Sequence, residues 1–376
     1  MVVLPRPART GTPTSPGAAG SAGTVTKWIY SLRTDQLLAW SWLPLFALTA
    51  GLSLPSTPTF DRATLAVMSW VFLVSLLHQP LTLLLVYGDK AQFRMRRALF
   101  VWTPIVAIPL ITAAVLLDLW IIIPIAAVWQ LYHTQQQRYG LLRIYARKAK
   151  YGSVALDRAV SYVPLAAVIA AVALLPGTAH QLTRFADGLG SDNASEVELL
   201  LSARSLLLWV AVPLAVAAVV VLLAYGRQER QAVIAGRANP AKWNYLASSL
   251  ALLVALMVNP VAGLVAYITA HAIEYVVVVH RTLISRYGTD ARGAGGRGLL
   301  AFLAGTPLKR VALLVGFFAV FAVIDLQMRG VLPTATYLII VYSIGLLHFL
   351  YDGFIWKSRK PAVASDFGIP ATPPAR

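Results

Sequence analysis

The chain has 376 residues, is 58% hydrophobic and only 12% charged, and combines a net charge of +17 with a mean hydropathy of +0.68. A soluble domain averages about 25% charged residues, so half that fraction cannot cover a globule of this size in water. The absence of cysteine excludes disulfides, thiolate metal ligands and cysteine nucleophiles.

Residues 1–26 are rich in Pro, Gly, Ser, Thr and Ala and have no apolar h-region, which predicts a disordered tail and not a cleaved signal peptide. Apolar runs of about 17–25 residues then recur, the length a helix needs to cross roughly 30 Å of hydrocarbon. They lack period-2 alternation, which excludes a membrane β-barrel. The predicted fold is all-α, a polytopic transmembrane helical bundle. Ten spans are read at 37–54, 63–87, 98–117, 120–140, 155–175, 203–225, 243–258, 261–284, 311–328 and 335–356. Residues 27–360 form a single transmembrane domain in this reading, and 361–376 a second disordered tail. The short turns Asp118-Leu119 and Asn259-Pro260 predict tight antiparallel hairpins. The least apolar span is the seventh, with Asn244, Ser248 and Ser249.

Basic residues lie between the apolar runs, as membrane topology demands and nucleic-acid binding does not. With the N-terminus inside, inner segments hold 28 of the 32 Lys and Arg; the outer side has Arg62, Arg184, Arg204 and Arg329. Such asymmetry predicts a multi-pass protein of the cell membrane with both termini cytoplasmic.

Four spans carry a histidine in their inner half: His78, His133, His271 and His348. Ionisable groups inside hydrocarbon are expensive and mark functional sites. His78 lies 11 residues before Asp89, His271 10 before Arg281 and His348 9 before Lys357. Those spacings put three imidazoles roughly 14–16 Å from the inner boundary. His133, five residues before Arg138, comes out shallower, as a cap on the cytoplasmic side of the site unless the fourth span extends inward as a longer helix. Helical periodicity groups Ser75, His78 and Thr82; Gln130, His133 and Gln137; His271, Glu274 and Tyr275; and His348, Tyr351 and Asp352. His280 falls on the opposite face from His271, and His180 lies in an outer loop.

His and carboxylate are the usual ligands of iron, manganese and zinc. The candidate metal ligands are therefore His78, His133, His271, Glu274, His348 and Asp352, with Glu274, Asp352 and His133 as candidate catalytic groups. No clustered histidine box, aspartate-rich prenyl-transfer motif, GxSxG or HExxH is present. The leading expectation is a metal-dependent oxidoreductase, with non-haem iron (or else manganese or zinc), acting on an apolar or lipid-like substrate. The partners are then the lipid bilayer, that small molecule, and a separate electron donor, since the chain has no nucleotide motif. The alternatives are a proton-coupled transporter or channel using the same residues as a proton relay, with Pro80, Pro124 and Pro260 opening cavities, and a scaffold whose histidines are structural.

Two basic-aromatic segments flank the site, Gln135 to Lys148 and Tyr351 to Lys357. They read as an interfacial belt of aromatic and snorkelling basic residues, or as a gate or headgroup cradle. Gly140 and Gly353 would allow close packing or a break in each helix. The architecture resembles that of the Brp/Blh carotene-cleaving membrane dioxygenases, multi-span proteins that hold iron with histidines from several helices. The resemblance shows that such a site is feasible, and no residue is assigned through it.

Overall fold

The computed structural model describes residues 27–54, 58–117, 119, 122–175, 177–178, 194–288, 299–356 and 361–369. Among these residues there are helices and no strand. In chain order they are α1 (Leu32–Trp40), α2 (Leu43–Ser53), α3 (Pro58–Tyr87), α4 (Lys90–Met95), α5 (Arg97–Leu116), α6 (Ile122–Lys148) and α7 (Val154–Leu174). There follow α8 (Ala194–Ile234), α9 (Pro240–Val258), α10 (Pro260–Tyr287), α11 (Leu299–Ala304), α12 (Pro307–Val331), α13 (Thr334–Ile355) and α14 (Pro361–Asp366). Asn239, Asn259 and Thr306 cap α9, α10 and α12 with a side-chain oxygen, and each is followed by proline at the first helical position. There the missing N–H of proline would be unpaired anyway.

Eight helices among the described residues are long and apolar enough to cross a membrane: α3, α5, α7, α8, α9, α10, α12 and α13. Two of the ten expected spans differ. The first, 37–54, divides into α1 and α2. Ser41 and Trp42 keep right-handed helical torsions between them, but the Trp40 and Trp42 indole N–H groups reach across to Asn244 and Ser248 of α9. The polar atoms that made the seventh span the least apolar are thus paired. The fourth, 120–140, belongs to α6, which runs on to Lys148 and is polar from Gln130 onward.

Helix α10 is the axis. It packs against α1, α2, α3, α6 and α9 inside the bundle and against α11, α12 and α14 at its end. The Asn259-Pro260 turn is as tight as expected. A Cβ on Gly263 would stand 2.5 Å from the Leu256 Cα, so only glycine lets α9 and α10 approach this closely. Asp118 lies outside the described residues, so the other expected hairpin turn is not placed. At the periphery, α8 packs chiefly along α7, and α5, α8 and α12 present long apolar faces outward.

Residues 361–369, expected within a disordered tail, are folded. Val363, Phe367 and Ile369 are buried in a cluster with Ile144 and Tyr145. Arg286 holds the Asp366 carboxylate at 2.8 Å, and Lys148 donates to the Phe367 carbonyl at 2.8 Å. The polar composition concealed three well-spaced apolar residues. Residues 1–26 and 370–376 lie outside the described residues. The prolines do not break helices either: Pro80 sits inside continuous α3, Pro124 in the first turn of α6, and Pro260 opens α10.

The close α9–α10 approach has a direct consequence. Gly263→Ala forces two backbones apart and is expected to destabilise by about 1–3 kcal/mol. Gly140→Ala, whose Cβ meets nothing within 4 Å, should stabilise α6 by up to about 1 kcal/mol. Thermal unfolding in detergent checks both.

Candidate metal centre

Four helices deliver the four histidines to one place. His78 from α3, His133 from α6, His271 from α10 and His348 from α13 are all buried. Ring centroids are 4.8 Å apart for His78–His271 and His78–His348, 4.9 Å for His133–His271 and 5.0 Å for His133–His348. Three of the rings come from helices apolar enough to cross a membrane, α3, α10 and α13, for which turning the polar stripe inward is the arrangement hydrocarbon permits.

The depth expected for His133 needs correction. Arg138 does not mark the membrane boundary. It is buried, with its guanidinium 3.1 Å from Glu274 and hydrogen-bonded to Ser248 and Ser249. The next basic residue on α6, Arg143, lies ten residues after His133, roughly 15 Å along the helix. That matches the other three histidines. The same burial overturns the interfacial-belt reading for Arg138 and Tyr145, since Tyr145 is buried and donates to Asp35.

Asp352 joins the cluster. Its Oδ2 is 3.6 Å from His133 Nε2 and 3.7 Å from His348 Nε2. Two donor sets, His78/His271/His348 and His133/His348/Asp352, each have ligand atoms within 4.8 Å of one another. They share His348, so the five residues form one continuous site for one or two ions. His78 Nε2 and His271 Nε2 are 3.1 Å apart. Two nitrogens bound about 2.1 Å from one ion at angles of 90–109° stand about 2.9–3.4 Å apart, so the pair fits a shared metal. The same distance suits an N–H···N hydrogen bond.

Thr82 fixes one ring. Its hydroxyl donates to Asp352 Oδ1 at 3.0 Å and contacts Tyr275 OH and His348 Nδ1. A hydroxyl has one proton and two lone pairs. With an ionised Asp352 taking that proton, Thr82 must accept from His348 Nδ1–H. The ring is then the Nδ1–H tautomer, and its Nε2 lone pair points into the cluster. His348 Nε2, both His133 nitrogens and His271 Nδ1 are buried with no hydrogen-bond partner. A neutral imidazole has one donor and one acceptor nitrogen, so these orphans include a buried acceptor on His348 and one on His133; each costs about 1–3 kcal/mol, which a bound cation would remove.

Asp352 makes the same case from the charge side. Other buried carboxylates are neutralised: Glu274 by Arg138, Asp157 by Arg143 and Lys242, Asp325 by Arg329, Asp366 by Arg286. Asp35 instead accepts from the Ile29 and Tyr30 backbone N–H groups. Among the described ion pairs, Asp352 meets histidines alone.

Glu274 differs from its expected role. Although it follows His271 by one turn, its carboxylate turns to Arg138, Tyr245 (3.0 Å) and Gln137 (3.4 Å), and it belongs to neither donor set. Gln137 also donates to the His271 carbonyl at 3.2 Å. Glu274 and Arg138 thus brace the backbone behind His271. Tyr351 points away, toward Tyr87 and the Phe100 carbonyl. His280 remains outside and half-buried, and His180 lies outside the described residues. The brace was missed because Arg138 resembled an interfacial residue. The signal available was its spacing of five from His133 in a helix that stays polar.

No protein-family model, curated protein or solved structure matches the chain. The chain is a helical protein with, among the described residues, eight helices long and apolar enough to cross a membrane and a buried His/Asp cluster that could hold a metal ion.

The Arg138–Glu274 pair supplies a test. Arg138→Met leaves a buried carboxylate uncompensated and is expected to cost about 3–5 kcal/mol, while the double change Arg138→Met with Glu274→Met restores most of that loss. A double-mutant cycle of thermal or denaturant unfolding reads it out.

Proposed function

We propose that the protein is a metal-dependent oxidoreductase embedded in the cell membrane, built on non-haem iron and acting on an apolar or lipid-like substrate. The observation that carries this reading is the convergence of four histidines and an Asp352 that pairs with no Arg or Lys among the described residues, in one buried cluster. Iron suits a mixed imidazole and carboxylate donor set, and when bound it supplies dioxygen chemistry through coordination positions left open by the protein. His78, His271, His348, His133 and Asp352 would hold it. Thr82 keeps the His348 lone pair directed inward, and Tyr275, 3.4 Å from Asp352 Oδ1, is placed to pass a proton to that carboxylate. The surrounding burial excludes bulk water. Electrons come from a separate cytoplasmic donor.

A second reading has one observation in its favour. Tyr275, Thr82, Asp352, His348 and His133 form a continuous polar string, which in a transporter would relay protons. Metal content separates the two. Purified protein from iron-replete cells is expected to contain one or two equivalents of iron, manganese or zinc. The double change His78→Ala with His348→Ala should abolish it, and His280→Ala should not. Glu274→Gln, acting through His271, should weaken retention by about 10–100-fold. Metal-free, colourless, well-folded protein would transfer the argument to pH-driven uptake in proteoliposomes.

The topology belonging to this reading has ten crossings, with α1/α2 and α6 as the two additional ones, and both termini cytoplasmic. Reporter fusions after positions 95 and 232 are expected to report the cytoplasm, and one at 190 the outside. A periplasmic signal at 232 would overturn the second half of the scheme.

A further inference from the structure

The cluster is not sealed equally on all sides. His78, His271 and His348 have 0% exposure, whereas His133 and Asp352 retain 3% and 7%. These two residues face each other across the seam between α6 and α13. Beside them the Phe349 ring, partly exposed, stands 4.7 Å from the His133 ring and 5.6 Å from that of His348. Partly exposed itself, it borders both the cluster and the surface.

The seam has room one to two turns beyond this level. One turn beyond Gln136 on α6 is Gly140, where a Cβ would meet nothing within 4 Å. One turn beyond Phe349 on α13 is Gly353, where a Cβ would meet only the Gln136 amide, at 3.9 Å. Both helices continue unbroken through these glycines. They are therefore neither packing contacts nor breaks, and they leave space. One turn before Phe349, on the same stripe of α13, packing is tight: a Cβ on Gly345 would lie 3.3 Å from the side-chain amide oxygen of Gln79 on α3. On α6, Trp129, one turn before His133, is exposed, and Tyr132 is exposed beside Tyr162 of α7.

We propose that an apolar substrate reaches the cluster laterally, from the bilayer, through the α6/α13 seam, and that Phe349 sets what fits. The proposal rests on the metal-dependent reading of the site for its chemistry, and on the seam alone for its route. Swinging the Phe349 ring aside frees a slot about one aromatic side chain wide. Such a slot admits an extended hydrocarbon chain and not a fused-ring body. Phe349 is thus a specificity-determining residue beside the reacting centre.

The absence of cysteine makes the route directly testable. Phe349→Cys in proteoliposomes places a single thiol at the seam. It is expected to react with membrane-dissolved N-phenylmaleimide and not with a cationic thiosulfonate supplied in water. Adding Gly140→Leu, which fills open space without touching the cluster, should slow the maleimide reaction about tenfold. Equal reaction with the thiosulfonate, no reaction with either reagent, or indifference to Gly140→Leu would each overturn the route. In iron-loaded protein, Phe349→Ala should speed iron removal by 2,2′-bipyridine, an apolar chelator without fused rings, and leave removal by EDTA unchanged. Protein that holds no iron but shows the labelling pattern would retain the seam and lose the metal reading. Iron-loaded protein without the pattern would lose the seam alone.

Discussion

Hydrocarbon offers an ionisable side chain no water, so each such group must find a partner of opposite charge, a full set of hydrogen bonds, or a bound cation. The interior of this bundle follows from that requirement. Arg138 enters the core with Glu274, and Ser248, Ser249, Tyr245 and Gln137 take up the remaining donors and acceptors. Nearer the end of α6, Arg143, Asp157, Lys242 and Glu229 form a second compensated group that joins α6, α7, α8 and α9. Set among these satisfied groups, the histidine cluster and Asp352 stand out because their polar atoms face one another and not a cation. The centre is defined as much by the neutralisation around it as by its own residues.

Much of this was legible in the sequence. Matched depth and helical spacing brought His78, His271 and His348 together correctly, and placed Thr82 and Asp352 on the inward faces. Where the reading departed from the structure, the cause was the same each time. A single chain shows which residues are polar and not what they pair with. Arg138 looks like a boundary residue until Glu274 is seen beside it, and Glu274 looks like a ligand until Arg138 is. The division of the first expected span is similarly hidden, because Trp40 and Trp42 are apolar in composition but bond α9 through their indole N–H groups. Composition also concealed the folded segment 361–369, since three apolar residues in a polar stretch carry little weight until α10 and α6 provide the surface they cover.

Helix α10 shows how the fold serves the site. Near its start, Gly263 allows α9 to lie close enough for Ser248 and Ser249 to reach Arg138. One turn apart farther along, His271 enters the cluster and Glu274 the brace. At its end, Arg281 and Arg286 hold the 361–369 segment. Rigid helices on several sides restrain His271, and Thr82 restrains His348, so the donor atoms stay near one another without a metal to gather them. Preorganisation of this kind lowers the ordering cost of ligand binding.

The Arg138–Glu274 pair also bears on how the protein is made. Helix α6 leaves the ribosome long before α10, so for that interval Arg138 has no carboxylate to meet. A charged arginine inside a lone helix is disfavoured during insertion, by about 2.5–3.5 kcal/mol at the helix centre and by less toward its ends, and among the described residues α6 is not one of the helices long and apolar enough to cross a membrane. Its final placement therefore has to await α10. The segment carrying one of the four histidines is then committed late, and the His/Asp cluster can close only after most of the chain has been synthesised. Assembly order, and not only final geometry, thus governs when these groups first meet.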